Sequence, residues 1–197
     1  MLSTMKNIKF RLIVMNFLQY AVWGSWLISL GAYLGRTLNF GGGEIGSFFA
    51  TMGIASLFMP AVMGVVADRW IPAQRLLGLS HLLASAFMFA ASFQTTYVTL
   101  YPLVLCSVMF YMPTIALSNT VAYNALSKAG LDTVKAFPPI RVWGTIGFIA
   151  AMWAVDLTGW SESSMQMVFS AVLGVTLGLY SFTLPSCPIN RHVDSKS

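Results

Sequence analysis

The sequence predicts an all-α integral membrane protein, a bundle of six membrane-crossing helices. Three observations carry that reading. Of 197 residues, 57% are hydrophobic and only 9% charged, and the mean hydropathy is +0.73. A soluble domain carries about 25% charged residues, so this chain cannot build a water-facing surface. Polar breaks then divide it into six apolar stretches, each near the roughly 20 residues that a bilayer crossing requires.

The spans fall at approximately 10–34, 44–66, 75–93, 97–124, 138–158 and 163–184. The first follows a basic start, MLSTMKNIKFRL. Its apolar run exceeds the roughly 7–15 residues of a signal-peptide core and lacks a small-residue cleavage site, so it reads as a retained helix. Gly41 to Glu44 form a turn and a helix start, and Ala67 to Arg75 a short polar hairpin. Gln94 to Thr96 make a tight connection, Ser127 to Pro139 the longest loop, and Trp160 to Glu162 close the last pair. Residues 1–190 thus read as one six-span membrane domain, and 191–197 as a polar cytoplasmic tail.

Orientation follows from basic residues, which concentrate on the cytoplasmic side. Lys6, Lys9, Arg11, Arg69, Arg75, Lys128, Lys135, Arg191 and Lys196 share one side, and Arg36 stands alone on the other. Both termini are expected in the cytoplasm.

Several function classes drop out. The net charge of +5 is scattered between apolar runs and forms no basic stripe with aromatics, which argues against nucleic-acid binding. Cys106 and Cys187 are far apart and lack metal-ligand spacing, so neither a disulfide framework nor a metal site is expected. No catalytic constellation or cofactor fingerprint is present, and the expectation is a non-enzyme without cofactor.

Polar side chains inside spans usually face the bundle interior or a cavity. Gln19, Trp23, Trp26 and Ser29 recur at helical spacing in the first span. Gln19 and Trp23 read as cavity candidates, whereas Ser25 and Ser29 suit a small-residue packing face equally well. In the fourth span, Thr114 and Ser118 share one face, and Asn119 and Tyr123 the adjacent one. The third and sixth spans are more uniformly apolar, with His81 near the inner end of the third.

The segment FPPIRVWGTIGF, Phe137 to Phe148, is the most informative. Pro138 and Pro139 suit the first turn of a helix, where their missing N–H groups would be unpaired anyway. Spacing then brings Arg141, Thr145 and Phe148 onto one face: a cation, a hydroxyl and an aromatic ring inside an apolar helix. From the residues alone two readings of Arg141 stand. It grips a polar, ring-bearing solute, or it snorkels to the headgroups. No Asp or Glu lies at the middle of any span, although proton-coupled carriers generally use one.

GVVADRW, Gly64 to Trp70, resembles the G-x-x-x-D-[RK] loop motif of the major facilitator superfamily at Gly64, Asp68 and Arg69. The motif's second half is degraded here to Ile71-Pro72-Ala73-Gln74-Arg75. With FLQYAVWGSWLISLGAYL, GIASLFMPAVMGVVADRW, YMPTIALSNTVAYNAL and FPPIRVWGTIGFIAAMW, the chain resembles the amino-terminal half of the bacterial nucleoside:proton symporters. The resemblance runs over nearly all of residues 5–190, and the FPPIR-x-WGTIGF block is its most specific part.

The resemblance implies that Arg141 hydrogen-bonds a nucleoside, Thr145 adds a hydroxyl contact and Phe148 packs on a ring. Gln19, Trp23 and Asn119 are further candidates by their polar groups within the spans. It implies that Asp68 caps and pairs with neighbouring helix ends, stabilising one conformer. Family members have twelve spans in two halves, with the site between them and the coupling carboxylate in the second half. The expectation is therefore half of a proton-coupled nucleoside transporter of the bacterial cytoplasmic (inner) membrane, working by alternating access. Its partners would be nucleoside, proton, membrane lipid and a carboxy-terminal half, which could be encoded separately. As half a carrier the chain is expected to be truncated or split, and inactive alone. The alternative is a non-transporting membrane interaction subunit or a relic of such a carrier.

Overall fold

A computed structural model describes residues 2–188, with side chains from residue 7. The tail 191–197, with Arg191 and Lys196, and the side chain of Lys6 lie outside the described residues. The helices are α1 (Leu2–Gly24), α2 (Leu30–Ala32), α3 (Gly42–Arg69), α4 (Ala73–Ala91), α5 (Tyr97–Lys128), α6 (Thr133–Leu157) and α7 (Met165–Ser181). A π-helical turn covers Tyr33–Thr37 and a 3-10 turn Trp160–Glu162. Helices α3, α5 and α6 are each long and apolar enough to cross a bilayer, and α7 is a shorter apolar helix.

Helix ends follow local chemistry. The Glu44 carboxylate accepts from the Gly41 N–H at 2.9 Å and fixes the start of α3. Gly130, at φ +70°, ends α5, and the Leu131 N–H reaches back to the Leu126 carbonyl at 3.0 Å. This is a Schellman closure, for which glycine is suited because the left-handed conformation costs it little.

Two boundaries differ from the sequence reading. Helix α6 begins at Thr133, because Asp132 caps it by accepting from the Val134 and Lys135 N–H groups at 3.0 and 3.4 Å. Pro138 and Pro139 therefore sit inside the helix instead of in its first turn. Arg141 accordingly lies two turns in, deeper than the expected one. The first span is not one continuous helix either. It stops at Gly24, and the Val22 carbonyl accepts from the hydroxyls of Ser25 (2.8 Å) and of Ser170 on α7 (2.9 Å). Beyond the break, Ser29 donates to the Gln166 side chain at 2.8 Å.

The core has two apolar centres, one at each end of the bundle. Leu12, Leu77, Leu126 and Leu177 belong to the first, and Trp26, Phe48, Leu100 and Met167 to the second. Around the first, Arg11 bonds to Thr183, and the Cys187 N–H donates to Gln74. Around the second, Arg36 pairs with Glu162 at 2.6 Å. These contacts gather the start of α1, the start of α4 and the segment after α7 at one end. Arg36, the lone cation of the opposite side, sits at the other.

Helix α6 packs closely on α1 because glycines remove the intervening side chains. A Cβ at Gly24 would meet the Phe148 backbone, and one at Gly147 the Phe17 backbone. Helix α4 packs similarly on α7 at Gly78, Gly174 and Gly178. Although the third span is among the more uniformly apolar ones, α4 is buried along one side at Leu77, His81, Ala84 and Met88. Helix α3 leaves the broadest exposed face, including Ile54, Leu57, Phe58, Val62 and Val65.

Candidate functional site

Helix α6 carries the predicted column. Arg141 and Thr145 line an open pocket of about 450 Å3 together with Phe137, Pro138 and Val142. The Arg141 guanidinium carbon lies 3.8 Å from the centre of the Tyr20 ring on α1. A cation over an aromatic face is attracted to the ring's negative quadrupole. Among the described residues it pairs with no carboxylate. Gly144 makes this stack possible: a Cβ there would lie 2.5 Å from the Tyr20 ring and 2.8 Å from Arg141 Nη1.

Thr145 is exposed on the same face. The hydroxyls of Thr120, Thr158 and Thr176 bond back to the carbonyl four residues earlier. Phe148, half-buried, lies further along α6 and outside that pocket's lining. Its ring meets Trp23 edge to face at 6.2 Å, and Trp23 in turn leans on Tyr111 of α5 at 6.1 Å. The column is thus backed along its length by α1, with Tyr20 at the arginine and Trp23 at the phenylalanine.

The other candidates fall in different settings. The Trp23 indole N–H is buried and has no hydrogen-bond partner among the described residues. Asn119 on α5 is half-buried, and its side-chain oxygen also lacks a partner there. Gln19 is fully buried. Its amide nitrogen donates to Thr114 Oγ1 at 2.7 Å, and its oxygen lies 2.8 Å from His81 Nε2. Gly64 is half-buried, while Asp68 and Arg69 are exposed in the last turn of α3. Asp68 does not cap α4, whose N-cap is Pro72, and it pairs with no cation among the described residues.

Tyr20 and Tyr111 escaped the sequence reading. Tyr20 is set apart only by its packing on α6, which registry across two helices decides. The glycines Gly144 and Gly147, three apart and beside Arg141, were the one local sign that another helix approaches there.

The site as a whole offers a cation, an exposed hydroxyl and aromatic surface on one open helix face, with no carboxylate among them. The described carboxylates Glu44, Asp68, Asp132, Asp156 and Glu162 all lie at helix ends or in turns. Such a face can donate hydrogen bonds to a polar solute and stack on a ring.

The sequence model of the nucleoside H+ symporters matches residues 5–197. Nucleoside permease NupG of Escherichia coli is 43% identical over 191 residues, covering 97% of this chain and 46% of that protein. The xanthosine permease of Escherichia coli is 46% identical over 183 residues, covering 93% of this chain and 44% of that protein. A crystal structure of the nucleoside transporter NupG superposes with a TM-score of 0.90 at 43% identity, over 97% of this chain and 47% of that one. The chain spans about half the length of the curated relatives it matches.

Proposed function

This chain belongs to the nucleoside H+ symporter family, and from that membership we propose that it supplies one wall of a nucleoside pathway in a proton-coupled carrier. It is a multi-pass membrane protein with the fold of the amino-terminal half of a major facilitator carrier. In this reading Arg141 hydrogen-bonds the nucleoside, Thr145 adds a hydroxyl contact, and Phe148 offers its ring to the base. Trp23, against the Phe148 ring, flanks them. The observation that carries the reading is the open pocket where Arg141 and Thr145 stand together with no carboxylate partner among the described residues. A cation on an apolar helix persists where it has a ligand or a partner to meet.

The facing wall and the coupling carboxylate belong to a second six-helix body. The bundle sits in the bacterial inner membrane with its termini in the cytoplasm; the grouping of Lys9, Arg11, Arg69, Arg75, Lys128 and Lys135 on one side supports that orientation. Gly64, Asp68 and Arg69 act in the exchange of conformers, where Asp68 meets helix ends that are not within the described bundle. Nucleoside and proton together bias the outward-facing and inward-facing states.

The test is uptake of labelled uridine by bacteria lacking their own nucleoside carriers. The chain is co-expressed with the carboxy-terminal half of the Escherichia coli nucleoside permease. Uptake should require both halves. Arg141→Ala should lower it roughly tenfold or more, the scale of one hydrogen bond to a charged group. Undiminished uptake by Arg141→Ala, in a pair that transports, would overturn the reading.

A further inference from the structure

Behind the column lies a buried polar junction whose hydrogen bonds fix one another's direction. The Thr114 hydroxyl donates its single proton to the Tyr111 carbonyl at 2.5 Å. Its oxygen must therefore accept from Gln19, which places the amide nitrogen at 2.7 Å. The Gln19 oxygen then faces His81, so His81 Nε2 carries the proton across the 2.8 Å contact. A third bond reaches the same residue, from the Tyr111 hydroxyl to the Gln19 carbonyl at 2.7 Å. His81, Gln19 and Thr114 each have no exposed surface, so none can touch a solute in this conformer.

The residues that do face the column lie one and four positions beyond Gln19. Tyr20 carries the Arg141 guanidinium, and Trp23 meets the Phe148 ring. We propose that His81 and Thr114 are positioning residues: through the Gln19 amide they fix the segment of α1 that holds Tyr20 under Arg141 and Trp23 against Phe148. His81 stands on α4, which otherwise has no role in the site, and no local pattern in the sequence marks it. Together with the close glycine contacts to α6, the hydrogen bonds set the rotation of α1 about its own axis. The aromatic contacts alone leave that rotation loose, since rings slide over one another at little cost. Replacing His81 by an apolar side chain strands the Gln19 oxygen in the core, where an unmet polar atom is strongly disfavoured. The segment must then turn to find another donor.

The functional meaning of this junction rests on the reading of Arg141 and Phe148 as substrate contacts, but its geometry can be measured without nucleoside. The full chain in lipid nanodiscs is labelled with 5-fluorotryptophan, and Trp23→Phe assigns the Trp23 resonance. His81→Leu should displace and broaden that resonance. His81→Gln, whose amide N–H can replace Nε2–H, should return it to its original position. Ser107→Ala removes a different buried tie between α4 and α5, from Ser107 Oγ to the Ala84 carbonyl, and should leave it in place. Nitrogen-15 shifts should show His81 protonated at Nε2 and bare at Nδ1. The assignment is overturned if His81→Leu moves Trp23 no more than Ser107→Ala does, if His81→Gln fails to restore it, or if the opposite tautomer is found. Should His81→Leu not fold, Thr114→Val against Thr114→Ser poses the same question from the other side of Gln19. If Arg141→Ala leaves uptake intact, the transport reading fails while the junction stands. An unmoved Trp23 sinks the junction and leaves the transport reading untouched.

Discussion

Arg141 rests its charge on an aromatic face, with no carboxylate beside it among the described residues, and this shapes what it can do. An ion pair would occupy the guanidinium's donors; the ring of Tyr20 occupies only its flat side and leaves the N–H edge free for a solute. Tyr20→Phe keeps the ring and should transport nearly as well as the parent in the two-half uptake assay. Tyr20→Leu should raise the uridine KM between about twofold and thirtyfold, the span of roughly 0.5–2 kcal/mol for a cation over an aromatic ring. Equal KM values for the two variants would show that the stack contributes nothing. At this scale the sequence was informative about one helix and blind between helices. Arg141, Thr145 and Phe148 could be placed on one face from spacing, because the helical repeat dictates it. Tyr20 could not be assigned to Arg141, nor Gln19 to His81, because those meetings depend on how α1 is rotated against α6 and α4. A polar residue within a span looks the same in sequence whether it faces a cavity or a buried partner.

Between elements, glycine decides how near two helices can come. Helices α1 and α6 come backbone to backbone at Gly24 and Gly147, so the helix that carries the column lies directly against the helix behind it. A methyl group at position 147 would meet the Phe17 main chain, which cannot swing aside as a side chain would. Gly147→Ala should therefore destabilise the bundle by about 1–3 kcal/mol, the usual cost of overpacking. Gly53→Ala on α3, where nothing lies within 4 Å of the new carbon, should be nearly neutral. Thermal unfolding of both variants in detergent checks this: equal midpoints would mean that α1 and α6 are not in close contact. The helix ends show a similar division between what is local and what is not. Asp132 is a recognisable cap, yet the adjacent prolines gave a stronger local signal and drew the expected start of α6 too far along the chain. The break after Gly24 is only half legible in sequence, because its freed Val22 carbonyl is met by the neighbouring Ser25 hydroxyl and also by Ser170, far away on α7.

For the whole molecule, the question is what covers the outward face of α3. Gly42, Gly46, Ala50, Gly53, Leu57 and Ala61 are all exposed at helical spacing, and Gly64 and Asp68 continue the line to the helix end. Apart from Leu57 these residues are small; lipid tails gain little from such a row, whereas a second helix can approach its backbone closely along it. Relatives of about twice this length, matched over only 46% and 44% of their extent, supply a natural candidate in their remaining half. That half should pack on α3, and accessibility reports it. Gly53→Cys is introduced in a chain whose half-buried Cys106 has been replaced by alanine. Cys187 can stay, since it is buried and that burial pushes its thiol up, so it reacts slowly. In detergent at mildly alkaline pH, where an exposed thiol can ionise, a maleimide should label position 53 in the chain alone. Labelling should fall several-fold when the carboxy-terminal half of the Escherichia coli permease is co-expressed. A control cysteine at Leu83, on the exposed side of α4, should label equally in both cases. Unchanged labelling at position 53, in protein from cells where the pair transports uridine, would mean that the second body meets this bundle elsewhere. The pocket at Arg141 would then need a different opposite wall.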